Sequence, residues 1–302
     1  MKTIFLLFLT GTLIFQSRAC EICGCGVNNF YIGILPQFNH TFFGARYHFN
    51  SFNTRLHSDP TQYSKDFYQT LEMWGGWNLG KRVQLLAFIP FNHNYQNSDE
   101  GIMKMSGLGD IAALANFKIL DVNSVNGKGG VVSQQLWIGA GIKFSTGKFE
   151  IDASDPDVAS AANMQLGSGS TDVLLNAMYN VRIDKFGINT TATYKLNSTN
   201  KDEYKFGDKL LASSFAYYSI PVSKTLISPN LGLLYEQTHA SELQSSKIDL
   251  TGGSILQGSA GVEIAVNKIA IGVSTQLPLA QNFAENQTTQ KLRGMAHVTF
   301  AL

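Results

Sequence analysis

From residue 40 to the C-terminus, apolar and polar side chains alternate one by one along segments longer than the 5–6 residues usual in soluble sheets. In the stretch 40–52, Phe43, Ala45, Tyr47 and Phe49 stand opposite Arg46, His48 and Asn50. In 185–197, Phe186, Ile188, Thr190, Ala192, Tyr194 and Leu196 stand opposite Lys185, Asn189, Thr191, Thr193 and Lys195. In 258–267, Ala260, Val262, Ile264 and Val266 stand opposite Ser259, Gly261, Glu263 and Asn267. A period of two places one set on each face of a strand, and no segment carries a helical period.

About twelve such segments follow one another, near 40–53, 66–79, 81–95, 107–120, 131–145, 167–182, 184–197, 206–220, 223–237, 251–266, 268–280 and 289–302. The least regular is 206–220. A tilted strand crosses a bilayer in ~9–11 residues, so each segment is long enough. The connections alternate as well. Short turns are expected at Gly80-Lys81, Ile183-Asp184, Pro221-Val222 and Asn267-Lys268, with a longer one at 121–130; long polar loops are expected at 54–65, 96–106, 146–166, 198–205, 238–250 and 281–288. Short turns on one rim and long loops on the other describe an outer-membrane barrel, closed because lipid cannot satisfy an open sheet edge.

The expected fold class is therefore all-β, a transmembrane antiparallel β-barrel of about twelve strands spanning 40–302, with both termini on the periplasmic side of a Gram-negative outer membrane. A soluble sandwich or lipocalin-like barrel would have shorter strands. Trp74, Trp77, Tyr95, Tyr217, Tyr218 and Tyr235 lie near segment ends, where such rings settle at a membrane interface. The last segment, GMAHVTFAL, has the apolar, aromatic C-terminal strand typical of exported barrels. Composition agrees: 15% of residues are charged, against roughly 25% in typical globular chains. A net charge of +1 gives no footprint for nucleic acid. Lipid and a small solute are the expected partners of a monomer.

Residues 1–19, MKTIFLLFLTGTLIFQSRA, read as a signal peptide: a lysine, an apolar run too short to span a bilayer, and a small residue before the cleavage point. Residues 20–39 form a lead-in that opens CEICGCG and holds every cysteine of the chain, Cys20, Cys23 and Cys25. Three fates fit. Cys20 at a mature N-terminus can carry acyl chains, although Ser17-Arg18-Ala19 is a poor lipobox. Cys20 and Cys23 can close a small disulfide ring in an oxidising compartment, leaving one thiol over. Three thiolates on a glycine-flanked backbone can also hold Cu(I), or Zn with a fourth ligand from the amine or His40. No other metal or cofactor is expected. The strand-like FYIGILPQF (30–38) is placed in the barrel mouth or lumen, because an even strand count leaves no position for it in the wall.

Three glycine-rich blocks punctuate the middle of the chain: GLGDIAALANFKI (107–119), IGAGIKFSTGKF (138–149) and LGSGSTDVLLNAMYN (166–180). Their order and content resemble a family of outer-membrane transporters named after the meta-cleavage pathway of phenol degradation, grouped with hydrophobic-substrate barrels of the fatty-acid-transporter type. The chain departs from that family at Ser145, where the family has proline. The resemblance implies a transporter-type barrel. The glycines Gly107, Gly109, Gly139, Gly141, Gly167 and Gly169 themselves read as architectural, relieving crowding in curved strands.

With apolar positions facing lipid, the opposite positions face the lumen. Candidate transport residues there are Arg46, His48, Glu72, Asp110, Lys118, Lys143, Asp172, Lys195, Glu236, Glu263 and Arg293, and Asn116, Lys185, Asn189 and His297 are placed on the same face. Mixed signs favour charge pairing inside a narrow barrel, since an unpaired buried charge is costly, and no ladder of one sign argues for ion selectivity. Asp110 and Asp172 begin their strands near the loop rim, where a carboxylate can pair with Lys143 or bind a cation. The six histidines are scattered and none sits in a nucleophile motif; His57 and Asp59 in LHSDP are the nearest to a dyad, and no enzyme activity is expected. The reading is passive uptake or efflux of small molecules through the lumen, hydrophobic ones among the candidates, gated by the N-terminal segment or by loop 146–166. The alternative is a non-conducting barrel that presents the cysteine cluster for metal handling or anchoring.

Overall fold

Long alternating segments rich in β-branched and aromatic residues become strands that pair with their sequence neighbours. In a computed structural model describing residues 41–125, 130–152 and 158–302, they form one closed antiparallel barrel of twelve strands. The strands are β1 (Phe42–Arg55), β2 (Tyr63–Leu79), β3 (Val83–Ser98), β4 (Gly101–Leu108 continued by Ala112–Val125), β5 (Val131–Lys143), β6 (Asp172–Ile183), β7 (Phe186–Leu196), β8 (Lys209–Tyr218 continued by Ile220–Val222), β9 (Thr225–Thr238), β10 (Gly253–Val266), β11 (Ile269–Phe283) and β12 (Thr288–Ala301). The ring closes where β1 pairs with β12, from Phe42 opposite Ala301 to Thr54 opposite Thr288.

The two rims differ. At the turn end, Gly80, Asp184, Ser223 and Asn267 take φ of 70°, 53°, 55° and 52°, left-handed values that reverse the chain within a few residues. The loop end carries the longer connections, a small three-stranded sheet of Tyr204–Lys205, Glu242–Leu243 and Ser246–Lys247, and one helix, α1 (Val158–Met164). The outer wall is apolar in a broad belt: Leu231 is 67% exposed, Val273 56% and Leu71 50%. Exposure of that density is stable only where lipid replaces water. The described residues include no helix long and apolar enough to cross a membrane; the crossing is made by strands.

Several sequence expectations are corrected. Residues 96–106 are not a loop: β3 and β4 continue as a hairpin, Ser98 opposite Gly101 and Phe91 opposite Leu108. Residues 281–288 likewise contract to a short turn at Ala284–Asn286 between β11 and β12. Beyond the lipid belt both faces of a strand meet water, so hydrogen bonding continues where hydropathic alternation stops. Trp74 and Tyr217 are not interface anchors but buried inward, while Trp77, Tyr218 and Tyr235 are exposed. Lys185, expected inside, is exposed in the turn before β7, which starts one residue later. The signal peptide, the lead-in with Cys20, Cys23 and Cys25, His40 and FYIGILPQF lie outside the described residues.

Candidate functional site in the lumen

The inward parity of the strands sets the lumen's chemistry. On β1–β6 it delivers Phe42, Trp74, Leu86, Phe88, Ala112, Leu114, Trp137, Leu174 and Met178 as one buried apolar cluster. Sequence reasoning assigned apolar positions to lipid and missed this wall. Its signal is the run Leu85–Phe91 in β3, apolar on both faces. On β10–β12 the inward set is mostly polar: Gln257, Ser259, Glu263, Ser274, Gln276 and Gln290 are all buried, with Ile255, Phe283 and Met295 among the apolar exceptions. Gln257 Nε2, Ser259 Oγ, Gln276 Oε1, Gln290 Nε2 and one oxygen of Glu263 have no partner among the described residues. Buried polar atoms require partners, so this wall offers hydrogen bonds to water or solute.

The candidate charged residues fall into local groups. Arg46 and Glu72 pair across β1 and β2, with Arg46 Nε 2.7 Å from Glu72 Oε1. The same guanidinium lies 4.4 Å from the Trp74 ring centre and 5.3 Å from that of Phe88, so the pair is embedded in the aromatic wall. Glu236 holds two cations, Lys209 at 2.9 Å and Arg293. Arg293 comes from β12, three strands away, and also donates to Gln257 at 3.2 Å. His297 Nε2 and Glu263 Oε1 are 2.8 Å apart, and His48 is half-buried on the inward face of β1. Lys118 is 2.9 Å from Asp121 and 4.7 Å from the Trp137 ring centre, at the turn end.

The three glycine-rich blocks, distant in sequence, converge at the loop end. Lys143 Nζ is 2.6 Å from Asp110 Oδ2, 2.9 Å from Asp172 Oδ2 and 3.1 Å from the Ser170 carbonyl, and it donates to Ser168 Oγ. Asp110 also accepts from the amides of Gly147 (2.9 Å) and Ser168 (2.8 Å). Asp172 accepts from Ser170 Oγ at 2.7 Å and the Ser198 amide at 3.0 Å, with Lys195 at 3.8 Å. Gly147 and Gly167 cross closely: a β-carbon on Gly167 would stand 2.8 Å from the Gly147 α-carbon and collide with Asp110 Oδ1. The cluster ties the break in β4, the end of β5 and the start of β6 to the base of loop 144–171.

From that base the loop turns inward. Asn94 Nδ2 donates to the carbonyls of Met164 (3.0 Å) and Gln165 (3.1 Å), Asn92 Nδ2 to that of Leu166 (2.9 Å), and Gln96 Nε2 reaches Ser160 Oγ at 3.2 Å. These three β3 side chains hold α1 inside the loop end. Met164, at the helix end, packs with Phe52, Tyr68, Ile255 and Phe283, from β1, β2, β10 and β11. Val158 and Ala162, one turn apart, pack on Phe149, Tyr204 and Phe206 in the overlying loops. The helix thus sits between one arc of the strand wall, β10 to β3, and a cap of loops at the loop end.

This architecture has solved counterparts. The chain is similar to the COG4313 outer membrane channel from Pseudomonas putida F1, with a TM-score of 0.60 and 15% identity over 89% of this chain and 100% of that one. The fold is that of an outer-membrane β-barrel. The β domain of the Bordetella autotransporter BrkA is also similar, with a TM-score of 0.51 and 11% identity over 87% of this chain and 100% of that one. No protein-family model matches the chain, and no curated protein matches it significantly.

Proposed function

We propose that the protein is a passive outer-membrane channel for small amphipathic molecules, with its turn end in the periplasm and its loop end outside, gated by the loop that carries α1. The observation that carries the reading is a short helix inside the loop end, whose last residue packs on one arc of the wall, from β10 across the β12–β1 seam to β2, and which three amide side chains of β3 hold in place. Such bonds contribute roughly 1 kcal/mol each, so displacement is energetically accessible. The aromatic wall beside a polar wall supports a solute with an apolar body and a hydrogen-bonding end. The likeness to a solved outer-membrane channel and the resemblance of the three blocks to the meta-pathway transporters support the same role.

The test is flux through protein-loaded vesicles and planar bilayers, for wild type and for a variant with 158–164 replaced by a glycine–serine linker. Conductance is expected to rise in the variant, and an aromatic alcohol is expected to pass faster than a sugar of equal size. Absence of conductance in both proteins overturns the reading.

A further inference from the structure

The outer wall has a second site, unrelated to the lumen. At the loop end, where β1, β2 and β12 meet, a recess of about 470 Å³ is lined by Arg55, His57, Lys65, Tyr63, Gln287 and Thr289 among others. Strand parity places it outside the barrel: Arg55, Lys65 and Thr289 alternate with the buried Thr54, Ser64 and Thr288. Lys291 extends the same outward face along β12 and is exposed. No acidic side chain is among the described lining residues. Directly below, toward the belt, Phe67 and Tyr95 pair at 5.9 Å, and Lys104 lies 5.4 Å from the Tyr95 ring centre. Tyr47, Leu71 and Leu292 then continue the apolar wall.

We infer that this recess binds the phosphorylated headgroup of an outer-leaflet glycolipid of the lipopolysaccharide type. Arg55 and Lys65 line the recess and provide the charge that a phosphate recognises, Arg55 with a fork suited to two phosphate oxygens, and Lys291 adds a cation farther along the outward face of β12. The aromatic residues mark the depth at which headgroups lie, and the apolar wall beneath takes the acyl chains. A soluble anion would use the cations but not the wall. The inference rests on the outer-membrane placement and on the loop end facing outward.

The experiment measures lipid A phosphate retained per barrel after mild-detergent extraction and purification of the full chain from outer membranes. The proteins compared are wild type, R55A/K65A/K291A, and K185A/K224A/K268A, which removes the same charge from the turn end. Wild type and the turn-end variant are expected to retain the lipid. The recess variant is expected to lose affinity by roughly 100-fold, from about a tenfold loss or less per cation. Rebinding is expected with lipid A and not with its dephosphorylated form, and millimolar inorganic phosphate is expected not to displace it. Equal retention by all three proteins overturns the site, as does wild-type protein without enriched glycolipid. Displacement by inorganic phosphate reassigns the recess to a free anion. Recovery of the folded barrel, shown by its heat-dependent gel migration, from a membrane other than the outer one overturns the placement instead.

Discussion

At the scale of single residues, Lys143 is the most exacting position. It is 3% exposed and bridges two carboxylates, on Asp110 and Asp172, that are 2% and 0% exposed, with Lys195 the second cation beside Asp172 at 3.8 Å. Removing one partner of such a buried group leaves charge uncompensated and costs about 3–5 kcal/mol, whereas replacing the whole set by apolar residues can be neutral. Lys143→Met is therefore expected to lower the urea midpoint of the vesicle-inserted barrel strongly. Adding Asp110→Leu and Asp172→Leu is expected to recover part of the loss; a triple variant no better than the single one would refute charge compensation as the cause. Gly167→Ala tests the close crossing. Its methyl meets Asp110 and Gly147, so a loss of roughly 1–3 kcal/mol is expected from overpacking in the same unfolding assay. The blocks holding these residues are legible in the sequence as motifs. Their meeting is not, because contact between residues 110, 143, 168 and 172 depends on how β4, β5 and β6 align and on a loop folding back between them.

At the scale of elements, alternation was enough to locate every barrel strand, since each buried or lipid-facing position leaves its own mark. It failed at strand ends above the belt, where hairpin 83–108 continues without a change of environment to record. It failed also at α1. A seven-residue helix, VASAANM, has too few turns to show a period, and its order comes from its surroundings. Those surroundings make a prediction. Asn94 gives two hydrogen bonds to the end of α1 and Asn92 a third to the residue beyond it, all from β3. Asn94→Leu with Asn92→Leu is expected to destabilise the plugged state by roughly 2–4 kcal/mol, the sum of the lost bonds and the carbonyls left without donors. The open fraction in single-channel recordings is expected to rise correspondingly. Unchanged recordings alongside an intact barrel would place the gate elsewhere.

At the scale of the whole molecule, the fold turns on which face of each strand meets lipid, and one strand contains both halves of a test. In β9, Leu231 points outward near the strand's midpoint and is 67% exposed, while the adjacent Asn230 points inward and is buried. An arginine on the lipid face at the bilayer midplane costs about 2–4 kcal/mol, because hydrocarbon cannot hydrate it. A lysine on the lumen face avoids hydrocarbon: the strand neighbours of Asn230 are Gly261, which has no side chain, and Tyr217, which carries a hydroxyl. Leu231→Arg is thus expected to lower the unfolding free energy in phospholipid vesicles by that amount, and to have much less effect in short-chain detergent, where the belt deforms around the charge. Asn230→Lys is expected to change stability far less in either medium. A barrel with water outside would invert the order: the outward arginine would be tolerated, and the inward lysine would carry the penalty of crowding a closed core. The ratio of the two losses in vesicles therefore reads the orientation of the wall directly, without reference to what passes through it.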